Sequence, residues 1–182
     1  HNARGGGEAV DNAALTITTP RIEKVVVNCS VGEGGAKLEK AQKIIEQLVG
    51  QKPEVRKAKK TVRGFGIHKG EPIAVRATLR RQAAYEFLKK ALAAVNNTLK
   101  ASSFDDHGSV SFGIHEHLDI PGTRYNPELG IVGMDVTVHL VKPGYRVAKR
   151  AYRRARLGRR QTVSREEAVE FMKSLGAKVV EE

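Results

Sequence analysis

The 182-residue chain predicts an α+β fold: a mainly antiparallel sheet with helices packed on one face and the opposite face left open. Three observations carry that prediction. Three segments place apolar residues at helical spacing, and others place them at every second position. Along the chain the order is strand, helix, several strands, helix, two strands, helix.

Residues 1–20, with three consecutive glycines and then "LTITTP", read as a flexible arm ahead of one domain over 21–182. "IEKVVVNCSV" (22–31) is β-branched and reads as the first strand. Gly32, Gly34 and Gly35 then make a tight turn. They fit neither the dinucleotide fingerprint nor the Walker pattern, which would need a lysine followed by Ser or Thr. "AKLEKAQKIIEQLVG" sets Leu38, Ala41, Ile45 and Leu48 on one helical stripe, widened by Ile44 and Val49, with Gly50 as its stop. Pro53 marks a break. A strand through Val55 and another over Thr61–Ile67 are expected next, with "GIHKGEP" as the turn. On the returning strand Ile73, Val75, Ala77 and Leu79 alternate with Ala74, Arg76, Thr78 and Arg80, so the second set faces away from the helices.

"QAAYEFLKKALAAVNNTL" reads as a second amphipathic helix with the stripe Ala84, Phe87, Leu88, Ala91, Leu92, Val95 and Leu99. Val110, Phe112 and Ile114 alternate in one strand, and Met134, Val136, Val138 and Leu140 in another. Pro121, Gly122 and Pro127 punctuate the long connection between them. A last helix opens on the capping box Ser164/Glu167 and ends near Gly176. No internal repeat or low-complexity block interrupts the series.

Charge divides the chain more sharply than hydropathy does. The net charge is +12, with 32 Lys and Arg against 20 Asp and Glu. Residues 52–81 hold ten cations against two acids, and residues 142–165 hold ten against none. Solubility needs no such segregation, and blunting an edge strand takes only one or two charges. A polyanionic partner explains it. If residues 146–157 form a helix, Arg146/Arg150, Lys149/Arg153 and Arg150/Arg154 are like-charged neighbours with no acid to offset them, so the free helix should fray. The apolar seam there (Val147, Ala148, Ala151, Ala155, Leu157) is too poor in large residues to enter a membrane, which leaves nucleic acid.

Other signals are weaker. Cys29 is alone, so no intramolecular disulfide forms, and a reducing compartment is expected. The first residues lack the pattern of a secretory signal, and no apolar run approaches the roughly 18 residues of a membrane span. The reading is therefore intracellular, with no membrane partner and no cofactor. Arg63–Gly64–Phe65–Gly66 matches half of an RNA-recognition-motif signature, but Ile67, His68, Lys69 and Gly70 break it; Phe65 between two glycines still reads as an exposed ring able to lie on a base. His115, His117 and His139 offer the one metal alternative, a zinc-activated water acting on a phosphodiester. Their spacing is common by chance and no general base accompanies them, so no metal site and no catalysis are expected.

"PRIEKVVVNCSVGEG", "GQKPEVRKAKKTVRGFGIHKGEPIAVRATLR", "SFGIHEH" and "GMDVTV", in this order, resemble the family of large-subunit ribosomal protein number five, the one associated with 5S rRNA. The likeness runs over residues 20–181, and "VKPGYRVAKRAYRRARLGRRQTVSREEAVEFM" is similar to the archaeal and eukaryotic branch. The resemblance implies a cytoplasmic, ribosome-bound structural protein in the central protuberance. It places 5S rRNA on the open sheet face at Asn28, Gln51 and Thr78, within a surround of Lys52, Arg56, Lys57, Lys59, Lys60, Arg76 and Arg80. It sends the hairpin of residues 62–71 toward peptidyl-site tRNA, with Arg63, Gly64, Phe65, Gly66, His68 and Lys69 at the tip. It adds a protein of the small-subunit head across an intersubunit bridge, and neighbouring proteins of the protuberance. Arg146, Lys149, Arg150, Arg153, Arg154, Arg156, Arg159 and Arg160 would meet 5S rRNA, the main large-subunit rRNA or a protein. Two positions depart from the family pattern: His68 where arginine is frequent, and Arg81 where glycine is common. A free-standing RNA-binding regulator is the alternative function that the residues themselves leave open.

Overall fold

A computed structural model describes residues 19–181. The expected arm falls almost entirely on residues 1–18, outside the described residues. In chain order the elements are β1 (Arg21–Ser30), α1 (Ala36–Val49), β2 (Glu54–Lys57), β3 (Pro72–Leu79), α2 (Arg81–Ala94), β4 (Thr98–Lys100), β5 (Ser109–Ile114), β6 (Met134–Val141), the single turn α3 (Arg146–Lys149), α4 (Arg165–Ser174) and β7 (Lys178–Val180). β1 lies at the centre of a five-stranded sheet in the order β2-β3-β1-β6-β5, with every pairing antiparallel.

The period-two pattern explains which face is covered. Val25, Val27 and Cys29 of β1, Val75, Ala77 and Leu79 of β3, and Val136, Val138 and Leu140 of β6 point to one side and are buried. There they join Leu38, Ala41 and Ile45 of α1, Ala84, Leu88, Ala91 and Leu92 of α2, and Ala168 and Met172 of α4 in one core. Removing one such side chain, Leu88→Ala for example, costs about 2–5 kcal/mol. Gly50 stops α1 in the left-handed conformation, and the Ser164/Glu167 capping box starts α4, both as the sequence predicts.

Two expectations need correction. The strand over Thr61–Ile67 does not form. Only Val62 and Ile67 pair, around a 3-10 turn at Arg63–Phe65 that Gly66 closes with φ 66°. Two glycines in so short a stretch favour a turn over continued pairing. The second helix ends at Ala94, because Asn96 and Asn97 both adopt φ 54°, a conformation asparagine tolerates better than most residues. Leu99 is buried all the same, as part of β4, which pairs in parallel with β7; the sequence pattern predicts neither short strand. Helix over 146–157 is confined to the four residues of α3, Arg150 being extended and Arg153 at φ 51°, in line with the fraying that the charge spacing predicts. Unrelieved repulsion between like charges one turn apart accounts for the loss.

Candidate nucleic-acid interface

The face of the sheet turned away from the helices carries the polar residues of each strand, and the register fixes their rows. One row runs Glu54, Arg76, Asn28, Asp135, Gly113. The next holds Thr78, Val26, Thr137 and Ser111, and a third Lys24, His139 and Ser109. Ser111 and Thr137 share a hydroxyl hydrogen bond of 3.1 Å, and the Ser109 hydroxyl lies 3.2 Å from Nδ1 of His139. Asn28 and Thr78 thus stand in adjacent rows on neighbouring strands. Gln51 joins them from beyond the end of β2 by donating its side-chain amide to the Thr78 carbonyl at 2.9 Å. Alternation places Thr78 on this face and the resemblance points to Asn28 and Gln51, whereas Lys24, Ser109, Ser111, Thr137 and His139 are brought beside them by the strand order. Alternation in "SVSFGI" and "MDVTVHLV" marks them as the outward set, but only strand order brings them beside Asn28 and Thr78.

Not every cation near this face is free. Glu54 accepts from Arg76 at 2.8 Å and from Arg56 at 2.9 Å, and these two guanidiniums, Arg76 first, hold its carboxyl below the usual range. Nε of Arg76 is buried with no partner among the described residues. Glu23, only 18% exposed, binds Arg80 at 2.9 Å and Lys149 at 2.6 Å. Burial pushes that carboxyl up, but the hydrogen bonds from Lys149 and Arg80 outweigh it, so its pKa lies below the ordinary value. Glu71 spends itself on the backbone N–H of His68. Among the described residues Lys52, Lys57, Lys59, Lys60, Arg63 and Lys69 form no ion pair, and all are exposed. Backbone bonds between Ala58 and Glu71, and between Gly70 and Ala58, carry the ribbon past β2 and β3 to the knuckle, where Phe65 is 80% exposed.

The second basic region is a loop closed at its foot. Lys142, 5% exposed, donates to Glu167 at 2.7 Å and to the Arg160 carbonyl at 3.1 Å, while Gln161 donates to the Pro143 carbonyl at 3.0 Å. Burial raises the Glu167 carboxyl, yet Lys142 and the Ser164 backbone bring it below its ordinary value. Between those pins Arg146, Arg150, Arg153, Arg154, Arg156, Arg159 and Arg160 are exposed. Through Glu23 the loop is tied to the outer end of β3, so the two basic regions share one carboxylate.

The three histidines do not come together. His117 is 3% exposed on the helix side, where its Nδ1 accepts the Val132 N–H at 3.3 Å and burial lowers its pKa. His139 sits on the opposite sheet face, edge-on to Tyr145, and burial lowers its pKa as well. His115 lines a different hollow, with Ser30, Gly133 and Asp135. Among the described residues no three His, Cys, Asp or Glu side chains are grouped to hold a metal ion. The glycine turn is a turn: the N–H groups of Val31 and Gly32 both donate to the Ile73 carbonyl.

A face of short hydrogen-bonding side chains, with Asp135 and the ion-paired Glu54 in one row, bordered by cations that form no ion pair among the described residues, suits ribose hydroxyls and phosphates better than base edges. Such a surface on an α+β body defines a protein equipped to engage a polyanion by charge and hydrogen bonding. The chain belongs to the ribosomal protein L5 family, matching the model described as "Ribosomal protein L5" over residues 16–68 and that of the same family's C-terminus over residues 72–171. Proteins of this family are structural and non-enzymatic. Similar proteins, each described as large ribosomal subunit protein uL5, include those of Sulfolobus acidocaldarius (58% identical over 84% of this chain and 85% of the relative) and Pyrobaculum aerophilum (56%, over 87% and 89%). That of Methanosphaera stadtmanae is 49% identical over 85% of this chain and 92% of its own. These relatives are archaeal, in agreement with the likeness to the archaeal and eukaryotic branch. Among the described residues no helix is long and apolar enough to cross a membrane.

Proposed function

We propose that this chain is a structural constituent of the large ribosomal subunit, cytoplasmic and ribosome-bound, that holds 5S rRNA in the central protuberance. The observation that carries the reading is the open sheet face of Asn28, Thr78, Thr137 and Ser111, edged by Gln51 and by the unpaired Lys52, Lys57, Lys59 and Lys60. RNA in the A form hides its base edges, so short hydrogen-bonders within a cationic surround are the chemistry that recognises it. The knuckle from Arg63 to Lys69 reaches peptidyl-site tRNA, and the body contributes to an intersubunit bridge with a protein of the small-subunit head. Neighbouring proteins of the protuberance and the main large-subunit rRNA complete its partners.

Measuring 5S rRNA binding by the full chain across a salt series tests the first part. Binding that falls steeply with salt, and that discriminates 5S rRNA from random RNA less well after Asn28→Ala or Thr78→Ala, supports it. Equal binding of both RNAs by all variants overturns it. Deleting Gly64–Gly70 should spare 5S binding while disturbing tRNA placement. Co-sedimentation with large subunits through high salt separates this reading from that of a free-standing RNA-binding regulator, which would be left behind.

A further inference from the structure

Among the described residues the two most exposed large apolar side chains are Phe65, at 80%, and Tyr152, at 75%. Each lies in one of the two cation-rich regions. The chain has only five Phe, four Tyr and no Trp, so two aromatics standing in water are a large share of its ring inventory. Burial would stabilise such a ring, and a ring left in water within a basic segment calls for a partner with a flat apolar face.

Local contacts order the backbone on either side of Tyr152. The Arg153 guanidinium carbon lies 5.2 Å from the Tyr152 ring centroid. Arg153 has φ 51°, a left-handed conformation, and its carbonyl accepts a 2.8 Å hydrogen bond from Nε of Arg150. The Ala155 N–H donates back to the Val147 carbonyl at 3.3 Å, folding the chain that follows onto the single turn of α3. That fold leaves a shallow hollow of about 410 Å³ lined by Ala148, Arg154, Ala155 and Arg156. No Asp or Glu occurs between residues 142 and 165. An anionic partner is thereby selected, and a planar one by the ring.

We propose that Tyr152 and Arg153 form a stacking platform for an unpaired RNA base, with Arg154 and Arg156 on the adjoining phosphates. The inference rests on the RNA-binding reading above and deepens it by assigning this loop to single-stranded rather than helical RNA. A base inside a duplex offers no free face to a ring, whereas any splayed base does. The tyrosine itself neutralises no phosphate. It therefore contributes affinity without contributing counterion release.

The test uses the full chain with a short oligouridylate, a blunt RNA duplex and 5S rRNA, each titrated over a salt series. Tyr152→Ala should weaken oligouridylate binding about 5- to 150-fold at every salt concentration, giving a parallel line with unchanged slope, while Tyr152→Phe binds as the parent does. Duplex binding should be unchanged by either. Arg154→Ala should instead flatten the slope by about 0.7. Because the chain has no tryptophan, Tyr152→Trp supplies a single indole whose emission should be quenched saturably by oligouridylate. Oligouridylate binding by Tyr152→Ala equal to that of the parent, or an equal loss on the duplex, overturns the platform while leaving RNA binding intact. Failure of the parent to hold any of the three RNAs sinks the wider reading instead. Tyr152 is exposed, so circular dichroism of the variants should match the parent and keep a folding defect out of the result.

Discussion

The ribbon of residues 52–81 and the loop of residues 142–165 carry the same number of cations and present them by opposite means. In the ribbon, β3 is a full member of the sheet, so its outward residues are held at fixed spacing by backbone pairing on both sides. Arg76 and Arg80 are further fixed by Glu54 and Glu23, and the lysines that remain unpaired stand at the border of a hydrogen-bonding face. In the loop there is no sheet and no internal acid. Order comes from its foot, where buried Lys142 ties two ends of chain, and from Lys149 reaching out to Glu23. A surface held by backbone pairing is ready before its partner arrives. One held by a few side-chain and turn contacts, without a sheet, can adjust more to what it meets, at a cost in ordering that binding must offset.

The sharpest test of that difference is charge removal on each side. Replacing Lys52, Lys57, Lys59 and Lys60 with alanine should leave the fold intact and remove up to four phosphate contacts. The loss of 5S rRNA affinity between about 50 and 200 mM salt should then shrink by about two decades. Arg56 is a poorer choice than the lysines, because Glu54 already engages it. An unchanged salt dependence would mean that the ribbon is not where phosphates sit.

A smaller effect is expected at the foot of the loop. Lys142→Met keeps the apolar stem but removes the ammonium that holds Glu167 and the Arg160 carbonyl, which should cost about 1.5–3 kcal/mol in chemical denaturation. Limited trypsin digestion should at the same time cut faster between Arg150 and Arg160, with no matching change in the ribbon. Equal acceleration in both would show that the two regions open together.

Glu23 couples the regions and should do so in a pH-dependent way. Its folded pKa lies below its unfolded one, so its contribution to stability is fully present above about pH 4.5. That contribution is lost as pH falls through the lower, folded value. Glu23→Gln should remove this part of the acid sensitivity, seen as a flatter unfolding free energy across the acid limb, while lowering stability at neutral pH. A curve parallel to that of the parent would assign acid sensitivity to other carboxylates.

The smallest effect lies at the end of the ribbon. Arg81 adopts φ 54°, where a side chain is strained and glycine is not. Arg81→Gly should stabilise the protein by about 1 kcal/mol, read as a shift in the denaturation midpoint, and lower RNA affinity only slightly.

Much of this architecture is legible from the residues alone. Leu38, Ala41 and Ile45 at helical spacing, and Val136, Val138 and Leu140 at alternate positions, name their elements without help. Leu99 shows where such reading fails. It continues the stripe of α2 in register, yet two asparagines turn the chain before it and its burial comes from a strand. Residues 146–157 are read more fully: spacing permits a helix, and the like charges along it already predict the fraying that leaves a single turn. At the candidate interface alternation puts Thr78 on the outward face and a resemblance singles out Asn28, Gln51 and Thr78, while Thr137, Ser111 and His139 need the strand order to become their neighbours.

The sequence by itself determined which long segments are strands and which are helices, which side of each strand is apolar, and that the cations fall in two blocks. These are properties of a residue and its near neighbours, and periodicity and composition record them. Only the tertiary structure decided that β6 lies beside β1, that Gln51 reaches the Thr78 carbonyl, and that one largely covered carboxylate holds Arg80 and Lys149 from segments far apart in the chain. Pairing partners distant in the chain are chosen by the closure of the whole core, and no local pattern carries that choice.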